Sequence, residues 1–264
     1  MDYSLVSDYY FLNASLPPIR LGEPLEMSFQ EFAKLMNINL NRPDLNRVDV
    51  IRRFYDIQNT RYLWMGQPLD PYGSLNPSEL EDSLVTGIGI PDYLYAFLEK
   101  YEEKKERLEH FSQVMSQYFE KEIPRAQGIL RKMLEFERSL RLVFTALRAK
   151  RINRDFLKEF QYEDPDDDLV AQIIAQKDSA TYEPPSRYEN MKGLFENYAD
   201  SPTELYQALA EFRFSGVEEL LGVDMFSVER TLGYMVQLII AEKWLKLDKQ
   251  KGKEILESIV REKS

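Results

Sequence analysis

The densest concentration of side chains that could bind a ligand or partner in this chain is basic. Residues 125–154 contain nine Lys and Arg residues and two acidic ones, a local charge of +7 in a chain whose net charge is −11. Clustered cations attract anions and acidic protein surfaces. We therefore predict a seat for an acidic partner on this segment. Its candidate partner-binding residues are Arg131, Lys132, Arg138, Arg141, Arg148 and Arg151.

A second interpretation of the same bases is structural, since they can pair with acidic side chains on neighbouring helices. Within the segment itself, Glu137 and Arg141 are spaced i,i+4, and Glu135 and Arg138 are spaced i,i+3. Each such pair stabilises a helix by about 0.2–0.5 kcal/mol. Both interpretations stay open at the level of the sequence.

The remaining residue types do not form a recognisable catalytic, cofactor or metal site. The chain has no cysteine, so thiolate chemistry and disulfides are excluded. His110 is the single histidine and lies in a charged helical stretch, which is typical of a surface residue. The sequence contains neither a Walker A motif nor a GxGxxG motif. We predict no catalytic residues, no cofactor and no metal, and a protein that is not an enzyme.

An acidic run at 163–168 could suggest calcium binding, because five of its six residues are Asp or Glu. It lacks the mid-loop Gly and the terminal Glu of an EF-hand loop. We instead predict a solvated loop whose last Asp residues cap a helix from Leu169 to Ala175.

The basic segment is also strongly apolar, which places it on a buried helix. Its apolar residues recur at spacings of 4, 3, 4, 3 and 4, so they share one face of an α-helix over 125–151. These residues are Ile129, Met133, Phe136, Leu140, Val143 and Leu147.

The rest of the chain also shows helical patterns, so we predict an all-α fold of about ten helices. The expected architecture is an elongated multi-helix bundle with long antiparallel helices, 91–122 against 125–151, and two or three pseudo-repeated lobes. Capping-box patterns begin at Ser28, Asn76 and Ser201.

Composition suggests where the chain divides. We predict an N-terminal helical lobe at 1–162, a mobile acidic and proline-rich linker at 163–187, and a C-terminal helical lobe at 188–264. In the last lobe, a long helix over 227–247 precedes a separate final helix. The aromatic residues at 9–12 are expected to dock on the core.

Charge and hydropathy argue against direct binding to nucleic acid or membrane. The acidic balance disfavours phosphate binding. The first 19 residues contain no Lys or Arg, so a secretion signal is not expected. The best apolar run, 231–241, has 11 residues, whereas a bilayer needs about 20. Any membrane association is expected to go through a partner.

Three segments resemble a bacterial family of uncharacterised proteins encoded beside V-type ATPase genes in chlamydiae and some other bacteria. These are YYFLNASLPPIRLGEPLEMSFQEFAKLM (9–36), LEFERSLRLVFTALRAKR (134–151) and LGYMVQLIIAEKWLKLDKQKGKEILESIV (232–260). None is a catalytic motif.

The resemblance implies an accessory of a V-type ATP synthase that stands in for its C subunit. The C subunit is a funnel of helices that joins the central stalk to the membrane rotor ring and has no active site. The implied partners are therefore the central-stalk and rotor-ring subunits, with the chain on the cytoplasmic face of the inner membrane. The alternative is a helical adaptor of another complex.

Overall fold

The structure is a computed structural model that describes the backbone of residues 9–262 and the side chains of residues 9–248. It confirms the all-α prediction. The described residues form thirteen α-helices and two short 3₁₀ helices at Ile123–Arg125 and Ser186–Tyr188. The α-helices are α1 Tyr10–Ala14, α2 Phe29–Asn39, α3 Arg42–Met65, α4 Pro77–Thr86, α5 Asp92–Lys100, α6 Lys104–Glu109, α7 Phe111–Glu122, α8 Gly128–Arg151, α9 Phe156–Glu159, α10 Asp168–Ala175, α11 Glu189–Tyr198, α12 Pro202–Leu220 and α13 Val228–Glu262.

Contacts group these helices into two compact units. The described part of the first unit comprises 9–45 and 193–262, and the second unit is 46–192. The boundaries differ from those of the lobes expected at 1–162 and 188–264. The segment expected to be a linker, 163–187, lies wholly inside the second unit.

The central helix α8 organises the second unit. All six residues of its predicted apolar stripe are buried, each at most 6% exposed. The helix contacts α7, α9 and α10. Burying one such side chain stabilises a fold by about 1.5–3 kcal/mol, so α8 fixes the positions of the shorter helices around it.

The helix predicted over 91–122 is three helices, α5, α6 and α7. The first break follows Lys100, where the Arg107 guanidinium donates to the carbonyls of Leu98 and Tyr101 at 3.3 and 2.7 Å. A side chain that satisfies these carbonyls ends α5 in place of another helical turn. The predicted antiparallel pair is therefore limited to α7 and α8.

Two of the three predicted capping boxes are confirmed. Ser28 pairs reciprocally with Glu31, and Asn76 pairs reciprocally with Glu79. The prediction for Ser201 is wrong, because its side chain makes no capping hydrogen bond. Its ψ of 85° differs from the extended values of 159° at Ser28 and 170° at Asn76.

The C-terminal prediction of two helices is also wrong, because α13 runs unbroken from Val228 to Glu262. Gly252 is the only strong helix breaker between the two predicted helices. One Gly costs a helix about 1 kcal/mol relative to Ala, which does not interrupt it.

The N-terminal aromatic segment docks in part. Tyr9 is buried and donates a hydrogen bond to Asp44 Oδ2 at 2.6 Å, and Leu12 is 3% exposed. Tyr10 and Phe11 are 54% and 86% exposed, so the docking prediction is wrong for these two residues. Within residues 9–262, no helix combines the length and apolarity needed to cross a bilayer.

Candidate interaction surface on the central helix

The six predicted partner-binding residues occupy three environments along α8. Near its start, the exposed Arg131 pairs with Glu135 one turn later at 2.8 Å. The side chain of the neighbouring Lys132 is exposed and makes no ion pair or hydrogen bond with any described residue. An exposed ion pair within a helix contributes little to stability, so a partner could replace Glu135 at small cost. Arg131 and Lys132 are therefore both accessible to a partner.

In the middle of α8, Arg138 and Arg141 share one acidic partner, Glu163, whose side chain is 5% exposed. Arg138 Nη2 lies 3.6 Å from Glu163 Oε2, and its Nη1 lies 2.8 Å from Asp167 Oδ2. Arg141 Nη2 contacts Glu163 Oε1 directly, as does the Ser116 hydroxyl. We call Ser116, Arg138, Arg141, Glu163 and Asp167 the internal ion cluster.

The geometry of the internal ion cluster favours the structural interpretation for its two arginines. Glu135 pairs with Arg131, and Arg138 instead reaches across to the acidic run. Arg138 and Arg141 are only 18% and 24% exposed at their side chains. A partner could not engage them without breaking ion pairs that already satisfy their charge.

Two acids of the run, Glu163 and Asp167, pair with α8, whereas Asp164, Asp166 and Asp168 are exposed. Asp167 caps α10 by accepting from the amides of Leu169 and Val170, both at 3.1 Å, which confirms the capping prediction. The prediction of a solvated loop is wrong for Glu163, since burial of its carboxylate requires the two guanidinium partners. No group of three or more described Asp, Glu or His side chains is arranged to hold a metal ion.

The segment after α10 is also attached to the second unit. Gln176 exchanges two hydrogen bonds with the backbone of Glu183, at 2.9 and 3.1 Å. The Lys150 ammonium donates to the carbonyls of Lys177 and Ser179, both at 2.6 Å. Tyr182 is 2% exposed. The expected mobile linker at 163–187 thus has buried residues and fixed contacts, although proteolysis remains its direct test.

The C-terminal end of α8 presents positive charge to solvent. Arg148 is exposed and forms no ion pair or hydrogen bond through its side chain with any described residue. Arg151 is exposed as well, and Arg154 pairs with Glu159 at 3.0 Å while remaining 59% exposed. Residues 148–159 contain five basic and two acidic residues, so this end of the helix keeps a local charge of +3.

A left-handed turn at Asn153, with φ of 51°, closes α8. The Asn153 amide donates to the Lys150 carbonyl at 3.2 Å, and the Arg154 amide donates to the Ala149 carbonyl at 2.9 Å. This pair of bonds is a Schellman motif, in which Asn is tolerated because its side chain costs little in the left-handed region.

Apolar side chains accompany the exposed bases at this turn. Ile152 is 48% exposed and Leu157 is 50% exposed. We define Arg148, Arg151, Ile152, Arg154 and Leu157 as the helix-end surface. Two of these five residues, Arg148 and Arg151, were predicted from the sequence. The Asn153 turn signal, with an apolar residue on each side of it that extends no stripe, could have indicated Ile152 and Leu157, and Arg154 is part of the basic run.

A further group of titratable side chains in the second unit contains Arg53, Glu122 and Tyr118, each of which bonds to a neighbour. Glu122, 5% exposed at its side chain, pairs with Arg53 at 2.5 Å. Burial lowers the pKa of Arg53, but the Glu122 charge and hydrogen bond outweigh it, so the pKa of Arg53 is raised. Burial raises the pKa of Tyr118 well above its usual value, so this hydroxyl stays protonated and donates to the Val50 carbonyl.

His110 is packed and not a free surface residue, contrary to the sequence-based prediction. It lies between α6 and α7, where its ring stacks on Tyr101 with centroids 4.6 Å apart. Its Nδ1 is 2.6 Å from the hydroxyl of Tyr162. Burial, reinforced by a hydrogen bond with Tyr101, raises the pKa of Tyr162 to about 12. These contacts fasten the stretch after α9 to the start of α7.

The similarity of this chain to known proteins extends along almost its whole length. Uncharacterized proteins of Chlamydia muridarum and Chlamydia trachomatis are each 27% identical to it and cover 95% and 94% of this chain, with 97% and 95% of their own lengths matched. An uncharacterized protein of Chlamydia pneumoniae is 27% identical, over 96% of this chain and 98% of its own. No solved structure matches the chain. The family model described as "Protein of unknown function (DUF2764)" matches residues 6–263, and the chain belongs to this family.

Proposed function

We propose that this protein is a non-catalytic accessory of a V-type ATPase, a coupling component similar to the C subunit, which links the central stalk to the membrane rotor. The resemblance of segments 9–36, 134–151 and 232–260 to the family encoded beside V-type ATPase genes carries the proposal. The all-helical fold is of the class expected for such a coupling component. In this role the protein takes part in ion transport from the cytoplasmic face of the inner membrane and meets the membrane through its partners.

The helix-end surface is the contact we assign to this role. Its exposed arginines attract an acidic partner, and Ile152 and Leu157 supply apolar area for a stable interface. Interfaces are commonly built from an apolar centre and a charged rim that sets orientation and association rate. The partner surface on the stalk or rotor is therefore expected to combine acidic residues with an apolar site.

Affinity purification tests the proposal directly. The tagged full-length chain, produced in cells that contain its own V-type ATPase, should recover central-stalk and rotor-ring subunits, identified by mass spectrometry. The double variant Arg148→Glu and Arg151→Glu should reduce this recovery at least tenfold, with the larger effect at low salt because exposed charges are screened beyond about 10 Å at 0.1 M.

Lys132→Glu provides the control, since Lys132, although predicted from the sequence to bind a partner, is an exposed base near the other end of α8 and lies outside the helix-end surface. Its recovery of ATPase subunits should equal that of the unchanged chain. Absence of ATPase subunits from every purification would overturn the coupling role. Equal losses of ATPase subunits in Lys132→Glu and in the double variant would show that the helix-end surface is not the contact for the coupling role.

A helical adaptor of another complex is the second candidate. The observation in its favour is that the helix-end surface fits any partner with an acidic and apolar face. Recovery of a different defined set of proteins, lost in the double variant and retained in Lys132→Glu, would support the adaptor and exclude the ATPase role.

A further inference from the structure

The first unit carries an exposed apolar patch formed by two chain segments. The rings of Tyr10, Phe11 and Phe226 lie together, and Val223 and Met225 come shortly before Phe226 in the chain; each of the five is between 37% and 99% exposed. The Tyr10 ring lies 4.5 Å from that of Phe226 and 5.7 Å from that of Phe11, measured between centroids. We call this set the aromatic patch. Grouped apolar side chains in water, unlike scattered ones, mark an interaction site.

The aromatic patch is held in place by buried polar contacts beneath it. The Tyr9 amide donates to the Phe226 carbonyl at 2.7 Å. Asn13 donates to the Ser227 carbonyl at 3.0 Å and accepts from the Thr231 hydroxyl at 2.8 Å. Ser227 and Thr231 are 7% and 0% exposed. α1 is thus fixed to the loop between α12 and α13, and the aromatic rings face water from a defined backbone.

The charge around the aromatic patch selects the partner. Segments 9–14 and 218–230 together contain four acidic residues and one base, a local charge of −3. The base, Arg230, pairs with Glu218 at 3.1 Å. Asp224, between Val223 and Met225 in the chain, is exposed, and so is Glu219, four residues before Val223. An acidic rim repels an anionic membrane surface and favours a cationic partner.

We propose that the aromatic patch binds an amphipathic helix of another protein whose apolar face is flanked by Lys or Arg. Helices of this kind place anchors at i, i+3, i+4 and i+7 on an apolar surface, while their flanking charges meet the rim. Phe11 and Val223 supply the largest exposed fractions, 86% and 99%, and would lose the most contact with water. The proposal is independent of the V-type ATPase role, because the aromatic patch lies in the first unit and is surrounded by acidic residues, whereas the helix-end surface lies in the second unit and is basic.

The test uses the full-length chain and three synthetic peptides in fluorescence anisotropy titrations. The first is a labelled Leu/Lys peptide, LKKLLKLLKKLLKLL, the second replaces every Lys with Glu, and the third scrambles the first so that no apolar face forms. The Leu/Lys peptide should bind saturably, and the other two should bind at least tenfold more weakly.

Variants locate the binding. Phe11→Ser with Val223→Ser should weaken binding of the Leu/Lys peptide at least tenfold. Glu219→Gln with Asp224→Asn should weaken it several-fold, with the difference shrinking in 0.5 M salt. Ile38→Ser is the matched control, because Ile38 is 79% exposed in the same unit but outside the patch, and it should leave binding unchanged.

Any one of five outcomes would overturn the proposal. Equal binding of the Glu peptide would show that the patch does not prefer a cationic partner. Equal binding of the scrambled peptide would show that an apolar helical face is not required. Unchanged binding after Phe11→Ser with Val223→Ser would place the site elsewhere. Flotation with phosphatidylglycerol vesicles, or self-association in sedimentation, that this double variant abolishes would identify the occupant as lipid or a second copy.

Discussion

The middle and the end of α8 carry the same residue type and use it in opposite ways. Arg141 is three-quarters buried at its side chain and shares Glu163 with Arg138. Arg148, two turns later, is exposed and has no ion partner among the described residues. The difference arises from what lies opposite each turn, since the acidic run crosses α8 only at its middle. The basic run of this chain is therefore a mixture of internal pairs and exposed charge.

Removing the shared acid should have the largest effect. Glu163→Ala leaves two partly buried guanidinium groups without their common partner, so we expect the free energy of unfolding to fall by about 3 kcal/mol. Chemical denaturation would measure this loss. A loss below 1 kcal/mol would mean that the internal ion cluster stabilises the fold no more than surface ion pairs do. The middle and the end of α8 would then not differ in their contribution to stability.

A pair of substitutions at Asp167 should separate its two contributions. Asp167→Asn keeps an oxygen that can cap α10 but removes the charge that pairs with Arg138, whereas Asp167→Ala removes both. Loss of a cap costs about 1 kcal/mol. We therefore expect Asp167→Ala to be about 1 kcal/mol less stable than Asp167→Asn, and equal stabilities would show that capping contributes nothing here.

The exposed pair at the start of α8 should contribute least. Arg131 and Glu135 are 54% and 48% exposed at their side chains, and such helix pairs are worth about 0.3 kcal/mol. Glu135→Gln should therefore change the free energy of unfolding by less than 0.5 kcal/mol, with the residual effect lost in 1 M salt. A change above 1 kcal/mol would place this pair with the internal ion cluster.

Local rules predicted much of the fold. The period of the apolar residues predicted the start of α8 to within three residues and its last residue as observed. Apolar residues spaced three and four apart indicate both a helix and the face of it that is buried. The capping boxes at Ser28 and Asn76 were predictable because the cap and its acceptor lie three residues apart. The failures at 101–103 and at Ser201 came from longer contacts and from backbone angles that residue types do not determine.

The candidate surface was predictable only in part, for a related reason. The sequence identified the bases of α8 but gave no means of knowing that Glu163 would lie against Arg138 and Arg141. Pairing across 22 residues depends on how α9 and the following turn fold back on α8. The grouping of Tyr10 with Phe226 depends on a contact across more than 200 positions, which no local pattern indicates.

One paired measurement tests the central contrast most directly: chemical denaturation and partner recovery of Arg141→Gln and Arg148→Gln, side by side. We predict that Arg141→Gln lowers the free energy of unfolding by about 2 kcal/mol, because it leaves Glu163 under-paired, and that the folded protein still recovers its partner. Arg148→Gln should change stability by less than 0.5 kcal/mol and reduce recovery several-fold. The reverse pattern, or two variants with the same profile, would contradict the division of α8 into an internal ion cluster and a helix-end surface.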